Sequence, residues 1–226
     1  MTSRDPDELK EELEEIEFSG DVEMLSDLRA EARETVNSQR KTLNDIDTKA
    51  SKILRLNITL IGILVSVLSI AAQNDSGSDT TFSAAEPFVN TPMKIGIGSL
   101  VISTAFAAVT YTASELDVGV SSDNLTALLQ AEFSQEDVEE LLVKNHIARI
   151  NFNRSTNIRN IPLIQLTIIF VVSSVVFFAL GIYDAVIGPL PKWLSAAALI
   201  VLICVTVVSG LPMQLVRAVR DIREWR

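Results

Sequence analysis

The sequence predicts an all-α, polytopic membrane protein with four transmembrane helices and a small cytoplasmic helical bundle. Three observations carry this. The chain of 226 residues is 48% hydrophobic, and its apolar residues are bunched: residues 56–74, 95–114, 160–183 and 193–216 contain no Asp, Glu, Lys, Arg or His. About 20 mainly apolar residues suffice for a helix to cross a bilayer core of roughly 30 Å. Too little polar chain remains to wrap four such blocks in a water-soluble fold. Lys and Arg also alternate along the chain, with nine in residues 1–55, one in 75–94, four in 115–159, one in 184–192 and four in 217–226. Basic residues stay on the cytoplasmic side, so both termini and the middle loop are expected inside, with two short loops outside.

The expected organisation is cytoplasmic N-terminal helices (residues 1–52), a first span (53–73), an outer loop (74–94) and a second span (95–114). A cytoplasmic helical loop (115–159), a third span (160–183), an outer turn (184–192), a fourth span (193–213) and a cytoplasmic amphipathic tail (214–226) complete it. No basic start followed by an apolar stretch marks a signal peptide, so the N-terminus is expected to be retained.

Asp5-Pro6-Asp7-Glu8 is a helix start, with a capping Asp, a Pro at the first helical position and a Glu that can close a capping box. This helix is expected to reach about Glu17, and Ser19-Gly20 breaks it. A second helix starts near Asp21 and meets no Pro or Gly until Gly62, so it should enter the membrane as one rod. Leu25, Leu28, Ala32, Val36, Leu43, Ile46, Ala50 and Ile53 form a coiled-coil-like seam containing polar Gln39. The seam either packs on the middle loop or pairs with another subunit.

In the middle loop, Ser121 or Ser122 can cap a short helix carrying Leu125, Leu128 and Leu129. Ser134 starts another, with Val138, Leu141, Asn145, Ala148 and Phe152 on a 3–4 repeat that continues towards Ile161-Pro162. In the tail, Leu215, Val219 and Ile222 share one face and Arg217, Arg220 and Arg223 lie elsewhere. Gly210 and Pro212 favour an interfacial helix over a straight extension of the fourth span. Outside, Asn74-Asp75-Ser76 matches a glycosylation sequon. Gly188, Pro189 and Pro191 make the second outer loop a tight hairpin flanked by Tyr183 and Trp193.

Several function classes are disfavoured. On the predicted topology, 25 acidic residues fall on the cytoplasmic side and four outside, within a net charge of −10. Such a surface argues against nucleic acid as a partner. Arg outnumbers Lys, 12 to 7, and few Lys on an acidic surface suits a salt-adapted setting in which self-repulsion is screened. One cysteine (Cys204) and one histidine (His146) leave no disulfide framework and no Cys-cluster or multi-histidine metal site. The apolar blocks lack the ionisable residue that ion-coupled transporters place near midplane. No GxxxxGK[ST], HExxH or GxSxG motif occurs. No enzyme activity and no cofactor are expected.

Other residues carry alternative readings. Lys144, Arg149, Arg154 and Arg159 are spaced by five, and each step turns about 140°. They wind round the helix, as flanking charge or as contacts to an anionic ligand. His146 is expected to be solvated or packed. In the second span, Ser99, Ser103 and Ala107 form a small-residue stripe that lets helices approach closely, within one subunit or between subunits. Around the first span the chain reads Asp47-Thr48-Lys49-Ala50, then leucines and Asn57. A polar Asn one to two turns inside the membrane seeks a hydrogen-bond partner on another helix. The alternative for Asp47 and Lys49 is a charge pair at the lipid headgroups.

This segment, Asp47-x-Lys49-Ala50 followed by leucines, Asn57 and an apolar helix, resembles the first membrane helix of Pycsar and CBASS-type transmembrane effectors, small prokaryotic antiphage proteins. The resemblance covers about 30 residues, 39–69, and elsewhere extends only to the four-span layout. It implies a non-enzymatic, multi-pass effector of the cell membrane, a homo-oligomer in the lipid bilayer. Its cytoplasmic helices would sense a signal, a cyclic nucleotide being the candidate ligand, and rearrange to impair the membrane. Asp47, Lys49, Ala50 and Asn57 would be the switch. The alternatives are an assembly subunit of a membrane complex, or a small channel or transporter component.

Overall fold

In the computed structural model every regular element among the described residues is helical. The structure describes residues 4–73, 86–112, 126, 130 and 133–224. The sequon at Asn74 and the short helix expected around Leu125 fall outside the described residues.

The elements are α1 (Pro6–Glu15), α2 (Val22–Gln73), a one-turn 3₁₀ helix (Glu86–Phe88), α3 (Thr91–Thr112), α4 (Gln135–Val186), α5 (Lys192–Val208) and α6 (Leu211–Glu224). The local starts follow from the sequence. The Asp5 carboxylate accepts the Asp7 and Glu8 amides at 2.9 and 3.3 Å, and Asp21 accepts Glu23 N–H at 3.3 Å. Ser134 and Asp137 close a reciprocal box. Asp137 N–H donates to Ser134 Oγ at 3.2 Å, and Ser134 N–H donates to Asp137 Oδ2 at 3.1 Å. α1 ends at Glu15, two residues earlier than the sequence reading placed it. α4 runs unbroken through Pro162 and joins the cytoplasmic helix expected before residue 160 to the span expected at 160–183. Proline is tolerated inside apolar helices when neighbouring groups satisfy the freed carbonyl.

Among the described residues, three helices are long and apolar enough to cross a membrane, or four if the bent pair α5–α6 counts as one span. The break in that pair is 51°, at Gly210, whose φ of +70° lies in the left-handed region.

The chain forms two compact units. Unit 1 comprises residues 1–46, 114–161 and 215–226; unit 2 comprises 47–113 and 162–214. In unit 1, α1 lays Leu9 and Leu13 inward. Arg4 N–H donates to Asn151 Oδ1, and Asn151 Nδ2 returns a bond to Arg4 O, both at 2.8 Å. Lys144 Nζ reaches Ile16 O at 2.6 Å. On α2, Leu25, Val36, Leu43 and Ile46 are buried. Each such side chain contributes roughly 1.5–3 kcal/mol. Leu28 is 41% exposed, so it lies off the seam; Arg29 takes the inward register position and pairs with Glu139 at 3.0 Å.

In unit 2, α3 buries Met93, Gly96, Leu100, Ser103, Ala107 and Thr110, steps of three and four along one face. Phe106 stacks on Phe170 with ring centroids 5.9 Å apart. α5 buries no residue, and Ile200, Ile203, Val207 and Val208 are 60–86% exposed. In water that would be an outsized apolar patch; against lipid tails it carries no penalty. The pattern is compatible with a membrane protein.

Candidate functional site

The sequence features singled out on α2 and α3 meet in unit 2. Asn57 is fully buried, and its Nδ2 donates to Ser103 Oγ at 3.0 Å. Ser103, also fully buried, donates its own hydroxyl to Thr167 O on α4 at 3.0 Å. Thr167 Oγ1 bonds back to Leu163 O at 2.9 Å, so its hydroxyl is satisfied within its own helix. The result is a directional relay, amide to hydroxyl to carbonyl, joining three helices. Asn57 Oδ1 is buried and has no hydrogen-bond partner among the described residues.

The local reasons are clear. α3 presents Ser99 (8% exposed), Ser103 and Ala107 (both 0%) on one side. Small side chains there let the neighbouring backbones come close enough for Asn57 and Thr167 O to bond Ser103. Gly96 and Gly181 belong to the same close packing. A Cβ on Gly181 would stand 3.0 Å from Met93 N, a backbone atom; one on Gly96 would meet the Phe178 ring at 2.6 Å.

Asn90 completes the α3–α4 contact. Its Oδ1 accepts Met93 N–H at 2.9 Å and caps α3, while its Nδ2 donates to Gly181 O at 2.7 Å. The sequence reading left Asn90 in the outer loop. The signal was there in Asn90-Thr91-Pro92, a capping residue just before a Pro in the first turn.

The other residues of the entrance motif are spread round α2. Asp47 is partly buried, Lys49 is exposed and Ala50 is fully buried. Ala50 and Asn57 are seven residues apart and share a face; Lys49 does not. Asn57 and Ser103 therefore come together, Ser99 and Ala107 are buried on the same face of α3, and Lys49 is exposed.

The chain matches no family model, no curated protein and no solved structure.

Unit 1 holds a second feature. α1 and α4 enclose a cleft of about 580 Å³ with an apolar floor of Leu9, Leu13, Ile16 and Ile147, rimmed by Arg4, Glu12 and Arg154. Arg4 is already paired with Glu12 at 2.6 Å. Of the four spaced basic residues of α4, Lys144 pairs with Glu140 at 2.6 Å and Arg154 rims the cleft, but Arg149 is taken inward and is 7% exposed. His146 Nδ1 lies 2.7 Å from Leu142 O, one turn back on its own helix. The Asp137 carboxyl is held below its ordinary range by hydrogen bonds from the Ser134 hydroxyl and then the Ser134 N–H, which outweigh a small desolvation effect.

Proposed function

We propose that this chain is a non-enzymatic integral membrane effector. It lies in the cell membrane with four spans, counting α5 as the last, and with both termini on the cytoplasmic side. Its cytoplasmic helices receive a signal, for which a cyclic nucleotide is the candidate. Subunits of a homo-oligomer then rearrange and impair the bilayer. The relay from Asn57 through Ser103 to Thr167 O holds the resting arrangement of the apolar helices.

The observation that carries the reading is that relay. Buried hydrogen bonds between apolar helices are geometrically specific and individually modest, roughly 0.6–1.7 kcal/mol each. That suits a switch, which needs two states separated by a few kcal/mol. Support also comes from the likeness of the segment 39–69 to the first helix of Pycsar and CBASS-type effectors, since Asn57 is the motif residue held by the relay.

The test is membrane-potential dye fluorescence in cells expressing the protein, with and without a co-expressed cyclic-nucleotide synthase. Signal-dependent depolarisation is expected in the wild type, and in Asn57→Leu, which loses the bond that holds the resting arrangement, depolarisation without a signal. An intact membrane potential under every signal, together with a stable co-purifying partner, would replace this reading with that of an assembly subunit.

A further inference from the structure

Arg149 is a charge that the fold largely buries with no opposing carboxylate among the described residues. It is 7% exposed, its Nε has no hydrogen-bond partner, and none of its guanidinium nitrogens meets a carboxylate among the described residues. Arginine cannot shed its proton in a protein. A buried cation without an opposing charge is strongly destabilising.

Its neighbours are unanswered as well. Asn145, Arg149, Asn153 and Asn157 follow one another at intervals of four along α4. Asn153 is fully buried, and neither its Nδ2 nor its Oδ1 has a partner among the described residues. Asn145 Oδ1 and Asn157 Oδ1 are likewise without one. Gln39 of α2 sits beside this row: its Nε2 donates to Ile150 O at 3.1 Å, and its backbone carbonyl accepts Asn157 Nδ2 at 3.4 Å. Its own Oε1 is also unmatched. A stretch of packed helix that needed only apolar contact would not collect five polar side chains in this state.

We propose that unit 1 carries a buried oxyanion site built on Arg149 and Asn153. The guanidinium supplies the charge and a planar fork that matches two oxygens of one ligand. The Asn153 amide supplies a neutral donor one turn further along. The free oxygen of Gln39, whose Nε2 is held at Ile150 O, accepts from a hydroxyl of the ligand, and those of Asn145 and Asn157, about 18 Å apart along α4, accept from water that enters with it. The ligand class is therefore a small oxyanion that carries or brings hydroxyl hydrogens, with hydrogen phosphate as its simplest form. The site lies wholly in unit 1 and does not depend on what the apolar helices do.

The test uses the full-length protein in detergent, in a zwitterionic buffer whose ionic strength is fixed with sodium chloride. Inorganic phosphate is titrated and followed by calorimetry and by the thermal unfolding midpoint, with sulfate as competitor. Saturable phosphate binding, displaced by sulfate, is expected, with a midpoint that rises as the site fills. Asn153→Leu should weaken binding by about tenfold, the loss of one buried hydrogen bond to an ion. Arg149→Met should abolish binding, yet unfold in phosphate-free buffer at a temperature equal to or above that of the wild type, because the uncompensated charge is gone. Phosphate heats that do not saturate, or the same phosphate response in Arg149→Met as in the wild type, would overturn the site. So would Arg149→Met that is less stable than the wild type without phosphate or fails to fold, since a carboxylate of the protein would then be its partner.

Discussion

Ser103→Ala removes one oxygen from the centre of the relay and little else. Two bonds go: Asn57 Nδ2 loses its acceptor and Thr167 O loses a donor. Asn57 Oδ1 already has no partner among the described residues, so the whole amide of a fully buried residue is left unmatched. An unsatisfied buried polar group costs about 1–3 kcal/mol, and an interhelical bond in apolar surroundings contributes roughly 0.6 kcal/mol on average. Ser103→Ala should therefore destabilise unit 2 by about 2 kcal/mol. With Asn57→Ala already in place, the same change removes only the bond to Thr167 O and should cost under about 1 kcal/mol. The coupling is read from a double-mutant cycle in reversible denaturant unfolding of the detergent-solubilised protein. Equal effects of Ser103→Ala in both backgrounds would refute the relay. If the relay holds a resting state, the same 1–2 kcal/mol shifts its population by a factor of roughly 5–30, visible as depolarisation without a signal.

Further outcomes follow from single contacts. Gly181→Ala sets a methyl 3.0 Å from a backbone nitrogen and should destabilise by about 1–3 kcal/mol, whereas Gly96→Ala meets mainly a ring that can turn and should be milder in the same unfolding assay. Arg29→Ala strands Glu139, whose side chain is 12% exposed, and should destabilise unit 1 measurably; the exchange Arg29→Glu with Glu139→Arg should recover most of the loss. The lowered Asp137 carboxyl adds stability that is fully present above the ordinary value of 3.8 and fades as pH falls through the lowered one. In Ser134→Ala, an NMR titration should find the Asp137 midpoint moved up towards 3.8.

Much of the helical layout was readable from residue types, because charge-free runs and capping residues act locally. The seam of α2 shows where that stops. Leu28 was chosen for its apolarity, but Leu25, Ala32, Val36, Gln39, Leu43, Ile46, Ala50, Ile53 and Asn57 keep steps of seven, four and three, and Leu28 is one residue out of phase. Arg29 fills that phase because Glu139, distant in sequence, is there to meet it. Asn57 was legible as a residue in search of a partner, and Ser103 as part of a small-residue face. That the two would meet is a tertiary fact. Pro162 lies inside the span expected at 160–183, and α4 carries it in its interior. The row around Arg149 was hidden for the same kind of reason. Its residues look like ordinary surface polars until burial is known.

The relay also bears on how this chain can vary among its descendants. Its first bond joins two side chains, so a change at position 57 removes the reason for a hydroxyl at 103, and the two positions should drift together. Its second bond ends on a main-chain oxygen, which every amino acid supplies. Position 167 is thus constrained by bulk and not by chemistry: alanine, serine or glycine there would keep the acceptor in place. A contact between helices can be functionally central and yet leave half its partners silent in the covariation record.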